Sequence, residues 1–421
     1  MNPIVPQPSC ADRYDPEALP ITEALRLIEE GLKPLSGYEK LALRSALGRV
    51  LLRDTHSSLA VPAHTNSAVD GYALRIADVP GSDPVALQVI GTAWAGTPFA
   101  GKVEPGTAVR IMTGAVLPSG ADCVVMQEHV RRDDHQVWVG TPLKPGQNIR
   151  QAGEDLAAGA MVLPTGRRLS PADLGLLASL GIAEVEVRRR PRVAFFSTGD
   201  ELRSLGETLG EGDIYDSNRY TLYAMLTRLG VQVIDMGVVR DRREDLLAAF
   251  QEAGRNADVV ITSGGVSVGE ADLVKEILKR SGQVNFWKIA MKPGRPLAFG
   301  QIGNALFFGL PGNPVSVMIT FYEFVQPALQ RLMGQPPTPP LTFKVPCLSR
   351  LRKRPGRTEF QRGVLERQPD GSLAVHGTGD QGSGILKTMS RANCLIVLPH
   401  DSGTVEAGML VDVQPFEGLL G

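Results

Sequence analysis

The stretch Asp258-Val259-Val260-Ile261-Thr262-Ser263-Gly264-Gly265-Val266-Ser267-Val268-Gly269-Glu270-Ala271-Asp272 joins a β-branched run to a serine–glycine turn and then to two carboxylates. Each part has a chemistry. Gly264 and Gly265 tolerate positive φ and let a ligand approach the backbone closely. A strand, a glycine turn and a helix start in that order present backbone N–H groups to an anion. Glu270 and Asp272 would repel a bare phosphate, so a bridging cation is implied. A plain strand-to-helix connection with solvated acids explains the same letters, and the rest of the chain has to decide.

Groups of the same kind recur. Thr198-Gly199-Asp200-Glu201 closes one apolar run, Gly237 leads through Val238-Val239-Arg240 to Asp241, and Gly309-Leu310-Pro311-Gly312-Asn313-Pro314 closes another. Lys288, Lys292 and Arg295 crowd a glycine–proline turn within Phe286–Pro296, where lysines could meet phosphate or another oxyanion as point charges. Outside this region stand Asn66-Ser67-Ala68-Val69-Asp70-Gly71-Tyr72-Ala73, Arg110-Ile111-Met112-Thr113-Gly114-Ala115, Arg357–Gly363 and Gly379–Gly384. Turn chemistry accounts for each of these taken singly.

The elements that must position these groups follow from periodicity. Thr22–Lys33 predicts a helix with Thr22 as its cap, and Tyr38–Ala46 a second helix. From Asp54 to Gly140 short β-type runs bounded by Gly, Pro or Asp predict an inserted β module. Ser170-Pro171 opens a helix through Leu180. From Arg192 strand and helix alternate: Val193–Ser197, Asn218–Leu229, Val231–Gly237, Arg243–Ala253, Val259–Thr262, Asp272–Arg280, Leu306–Leu310 and Val315–Leu332. That alternation demands a mostly parallel sheet with helices on both faces, whose ligands sit at the carboxyl ends of the strands. The acids recur at those ends, which favours a functional cluster. After Met333 a proline linker leads to a second β domain. The expected division is a disordered leader over 1–20, a helical and extended domain over 21–53 and 141–190, the β insertion over 54–140, an α/β domain over 191–334 and a C-terminal β domain over 335–421.

At 421 residues the chain has room for about three domains of ordinary size. Hydrophobic residues make up 43%, with no long apolar run and no basic, apolar start, so neither a membrane span nor a secretory signal is expected. A net charge of −1 argues against a nucleic-acid surface. Cys10, Cys123, Cys347 and Cys394 lie far apart, and the histidines have no metal-ligand spacing, which leaves a reduced, cytoplasmic setting as the expectation.

Taken together, NSAVDGYA, RIMTGA, FSTGDEL, TSGGVSVGEAD, FWKIAMKPGRP, GLPGNPVS, RTEFQRG and GDQGSG resemble the molybdopterin molybdenumtransferase family, the MoeA-type enzymes homologous to the E domain of gephyrin. The resemblance runs in order over nearly the whole chain after about Pro20. It implies an elongated multi-domain fold and conversion of adenylyl-molybdopterin and molybdate to molybdenum cofactor and AMP, with magnesium. It also implies a homodimer with the active site shared between subunits, and molybdopterin adenylyltransferase as a candidate transient partner. Matched by motif, the functional positions are Asp70, Thr113, Glu201, Asp241, Asp272, Lys288, Lys292, Arg362 and Ser383. Glu201 and Asp272, with Asp200 as a third candidate, would hold magnesium. The turn with Ser263, Gly264, Gly265 and Ser267, and the Pro311-Gly312-Asn313 loop, would hold the pterin substrate. Lys288, Lys292, Arg362 and Ser383 would meet molybdate, while Asp70 and Asp241 would orient substrate. His64-Thr65 and Arg295 depart from the family pattern without touching these positions. Two other classes compete: a molybdopterin adenylyltransferase and a gephyrin-like binding scaffold.

Overall fold

A computed structural model describes residues 17–81, 83–140, 142–265, 276–278 and 282–416. Ser267 and Asp272 lie outside the described residues, as do residues 1–16 of the expected leader and most of the expected helix 272–280. The chain divides into two compact units, Lys40–Val187 and a second built from Met1–Glu39 with Arg188–Gly421.

The Lys40–Val187 unit is built on a six-stranded sheet in the order Cys123–Met126, Gly71–Leu74, Thr107–Ile111, Val85–Ala93, Gln136–Val139, Val130–Arg132. Gly71–Leu74 is buried along its whole length between two neighbours. A Cβ on Gly71 would stand 2.0 Å from the Val125 carbonyl oxygen, so only glycine fits. Helix Pro171–Ser179 packs on a separate core with Leu51, Leu163 and Val187. Ser170 and Asp173 close its N-terminus as a capping box.

The expected second helix is a strand. Tyr38–Ala42 alternates exposed and half-buried side chains and joins Glu184–Arg188 in a two-stranded sheet, followed by a 3-10 turn at Leu43–Ser45. The first helix runs Ile21–Glu30, but Pro20 is its N-cap and Thr22 caps nothing. Leu19, within the expected leader, bridges to Ile289.

In the second unit the α/β part comprises β1 (Arg192–Thr198), α1 (Ser217–Leu229), β2 (Gln232–Val239), α2 (Arg243–Asn256), β3 (Val259–Ser263), β4 (Gly282–Lys288), β5 (Pro296–Ile302), β6 (Ala305–Leu310) and α3 (Pro314–Thr320). The sheet order is β2-β1-β3-β6-β5-β4. The first four strands run parallel, whereas β5 runs against them and β4 pairs antiparallel with β5, so the sheet is mixed. β3 and β6 are buried at every position, which is why they read as unbroken apolar runs. α2 buries Leu246, Ala249, Phe250 and Ala253, one helical face. Phe250 meets Phe196 and Phe307 edge-on at 5.3 and 5.7 Å. At the amino end of β3, Asp258 accepts from Arg189 at 2.7 and 2.8 Å and from the Arg192 N–H at 2.8 Å.

α3 continues through a π-helical turn, Phe321–Val325, into helix Gln326–Leu332. Residues 335–342 form neither helix nor strand. The C-terminal sheet follows in the order Met291–Lys292, Thr358–Arg367, Cys394–Leu398, Leu410–Pro415, Phe343–Pro346, with Leu373–Gly377 on Thr358–Arg367. Its first strand is thus lent by the α/β segment. Cys123, Cys347 and Cys394 are buried free thiols, and burial pushes Cys394 up to about 12. No helix among the described residues is long and apolar enough to cross a membrane.

Candidate active site

The carboxyl ends of the parallel strands form one end of the α/β sheet, where strand mouths gather ligand-binding groups. β1 ends in Thr198, whose hydroxyl donates to Asp241 Oδ1. The Asp241 N–H in turn reaches Asp200 Oδ1 at 3.4 Å, which links the acids of two neighbouring mouths. Asp200 and Glu201 are exposed, and the Glu201 carboxylate lies over Gly199, 2.6 Å from where a Cβ would stand.

β3 ends in buried Ser263 and turns through Gly264 at φ +92° and Gly265 at φ +67°. A Cβ on Gly264 would sit 2.5 Å from the Thr198 carbonyl oxygen, so the turn can pack against β1 only as glycine. The Gly264 N–H is committed to Leu310 O at 3.2 Å, which takes it away from any phosphate. Asn218, at the start of α1, donates to Ser263 Oγ at 2.9 Å and to Gly312 O at 2.6 Å, clamping the β3 turn to the β6 loop. Asp216 caps α1 through the Arg219 N–H. Asn218 Oδ1 and Asp216 Oδ2 are buried and accept no hydrogen bond among the described residues.

Lys288 ends β4 with an exposed side chain. Lys292 is half-exposed in the strand lent to the C-terminal sheet. Arg362, expected to face an oxyanion, is instead fully buried. Its guanidinium donates to Thr388 Oγ1 and to the carbonyl oxygens of Asp380, Gln381 and Gly382 at 2.9–3.2 Å. Burial pushes its pKa down to about 10. What Arg362 holds is the Gly379–Gly384 loop. That loop reaches the β6 loop through Ser383 O, which accepts from the Val315 N–H at 3.1 Å.

The other unit carries its own constellation. Asp70 Oδ1 accepts from both the N–H and the hydroxyl of Thr113 at 2.7 Å. Those two donors, with Arg110 adding its charge, hold the Asp70 carboxyl below the usual range. Arg110 Nε and Asn66 Oδ1 are buried without a partner among the described residues. No group of three or more His, Cys, Asp or Glu close enough to hold a metal ion occurs among the described residues.

Three family models match the chain in succession: "MoeA N-terminal region (domain I and II)" over residues 19–181, "Probable molybdopterin binding domain" over 194–331 and "MoeA C-terminal region (domain IV)" over 344–416. The molybdopterin molybdenumtransferase of Haemophilus influenzae is 47% identical over 385 residues, covering 91% of this chain and 95% of that protein. The chain belongs to the molybdopterin molybdenumtransferase family. Gephyrin of Dictyostelium discoideum is 34% identical, covering 93% of this chain and 61% of that protein. The solved molybdopterin biosynthesis MoeA protein of Pyrococcus horikoshii OT3 superposes with a TM-score of 0.84 at 31% identity, over 95% of this chain and all of that one.

Within this family member, Asn218 and Asp216 carry no signal in the sequence that marks them as site residues. Tyr215-Asp216-Ser217-Asn218 announces a helix start and nothing more. The partners of Asn218 lie 45 and 94 residues away, so no spacing could reveal the clamp.

Proposed function

We propose that this chain inserts molybdenum, converting adenylyl-molybdopterin and molybdate to molybdenum cofactor and AMP. The observation that carries this reading is the Asn218 clamp, which ties Ser263 at one strand mouth to Gly312 at the next, while Asn218 Oδ1 is buried and accepts no hydrogen bond among the described residues. Buried polar atoms ordinarily find partners, so an unfilled one at a strand mouth is a place for a ligand. Because the Gly264 N–H is committed, the pterin substrate is proposed to meet the Ser263 hydroxyl, the backbone beyond Gly264, Ser267 and the Pro311-Gly312-Asn313 loop.

Magnesium retains most of its water and asks for one or two carboxylates beside substrate phosphate, a demand that the exposed Asp200 and Glu201 suit, with Asp272 as a further proposed ligand. When bound, the cation would neutralise charge on the phosphoryl oxygens of the adenylate. Lys288 and Lys292 supply positive charge for molybdate, and Ser383 a hydroxyl. Arg362 acts one step back, by holding the Ser383 loop. Asp241, fixed by Thr198, and Asp70, fixed by Thr113, orient substrate.

The protein is further proposed to work in the cytoplasm as a homodimer with shared active sites, and to take its substrate from a transiently bound adenylyltransferase. Exposed Leu205, Leu209, Ile214, Tyr215, Tyr220 and Tyr223 give the dimer apolar surface to cover. Light scattering of the purified protein at its monomer mass of 45.2 kDa would overturn the dimer.

The deciding experiment is single-turnover reaction of the purified protein with adenylyl-molybdopterin. Molybdate-dependent AMP release is expected. Adenylate formation from ATP without it would identify an adenylyltransferase instead. Asp272→Asn turning over at the wild-type rate would remove the cation role, and Lys288→Ala with unchanged molybdate dependence would remove the oxyanion role.

A further inference from the structure

Glu359 belongs to the C-terminal sheet, yet its carboxylate faces a lysine of the α/β segment. It sits directly opposite Lys292 in the parallel pairing of Met291–Lys292 with Thr358–Arg367. Only 3% of the residue is exposed. Oε1 lies 3.8 Å from Lys292 Nζ, whose side chain remains 46% exposed. Oε2 accepts from Gln361 Nε2 at 3.2 Å, and that same Nε2 donates to Arg352 O at 3.1 Å. The carboxylate is therefore anchored on one oxygen and turned toward Lys292 with the other.

A buried carboxylate is costly unless a cation and hydrogen bonds compensate it. The second cation nearby, Lys353, is buried and donates to the carbonyl oxygens of Ser402, Arg354 and His400 at 2.8, 3.3 and 3.4 Å. Burial depresses Lys353, and the Glu359 charge opposes that. Lys353 fastens the loop, which leaves Lys292 as the partner with an open side. An ammonium carries three donors on a flexible stem and is poorly aimed unless one direction is fixed.

We infer that Glu359 is a positioning residue that fixes Lys292 so that the free side of its ammonium meets the oxyanion substrate. The inference rests on the proposal that Lys292 binds molybdate. Glu359 comes from the C-terminal segment and Lys292 from the strand that the α/β segment lends to the same sheet, so assembly of the C-terminal domain and competence of the oxyanion site become one event.

The test is the molybdate KM and kcat of Glu359→Gln, Glu359→Asp, Lys292→Ala and the Glu359→Gln/Lys292→Ala double variant in the full-length protein, with melting curves as the folding control. Coulomb's law alone predicts tighter molybdate binding when a negative charge is removed from beside the site. Positioning predicts the opposite: a molybdate KM raised about tenfold in Glu359→Gln with kcat within about twofold. Glu359→Asp should show a smaller rise. The double variant should be no worse than Lys292→Ala, because both changes act through one ammonium. A lowered or unchanged KM in Glu359→Gln, or additive effects in the double variant, overturns the inference while leaving the oxyanion role of Lys292 standing. An unchanged KM in Lys292→Ala removes both. Should Glu359→Gln fail to fold, the KM of Glu359→Asp decides alone.

Discussion

A side chain's chemistry here is set by what its neighbours take from it. Asp70 is held ionised by two donors of one residue, so Thr113→Ala should let its titration midpoint rise toward the ordinary 3.8, read by carbon-13 NMR of the carboxyl. Because both values lie far below neutrality, the variant should keep Asp70 charged at pH 7, and any loss of turnover there comes from lost orientation. Arg362→Lys gives a second test. A lysine ammonium has three donors where the guanidinium serves four acceptors, so the Gly379–Gly384 loop should loosen, seen as faster amide exchange at the Val315 N–H. Letters alone named Asp70, Thr113 and Arg362 through motif, but not what they touch. An arginine in RTEFQRG looks like a surface charge, and its burial follows from carbonyls 18–20 residues downstream.

Strands and helices were legible where burial imposed a pattern on the letters. Val193–Phe196 and Val259–Ile261 are unbroken apolar runs because every one of these positions is buried in the sheet. Tyr38–Ala46 misled because it is short and its one strand signal, Leu41 and Leu43 two residues apart, is slight; pairing with Glu184–Arg188 makes Tyr38–Ala42 a strand. β4 and β5 escaped notice because the glycine–proline turn between them dominates the reading. The amino end of β3 shows what such a strand needs. Burial pushes the Asp258 carboxyl up, yet Arg189 and the Arg192 N–H together hold it below its usual value. Its contribution is therefore complete above about pH 4 and fades as pH falls through the lowered value. Asp258→Asn should destabilise the protein by about 2 kcal/mol at pH 7 and by much less at pH 3, measured by urea unfolding. In the other unit, Gly71→Ala drives a methyl into Val125 O and should cost about 3 kcal/mol, by the same measurement.

The α/β segment and the C-terminal sheet meet through more than the proline linker between them. Tyr322 stacks on Phe416 at 5.7 Å, and the Gln414 side chain reaches the buried carboxyl of Glu323 on the π-helical turn. Burial pushes Glu323 up to about 7. A raised carboxyl favours the neutral form in the fold, so stability should fall as pH rises from about 4.5 to 7 and level off above. Glu323→Gln should accordingly raise the melting temperature at pH 8 and leave it unchanged at pH 4, by scanning calorimetry. The proline-rich segment reads in the letters as a border, and for the covalent chain it is one. Hydrogen bonding draws the border elsewhere, since Met291–Lys292 pairs with Thr358–Arg367 and Thr358 donates to Ala290 O. A protease that nicks residues 335–342 should therefore leave two fragments that co-migrate in native electrophoresis and part only in denaturant. A gene cut at the same point should yield an amino-terminal piece with a bare strand edge, prone to aggregate until its missing half is supplied.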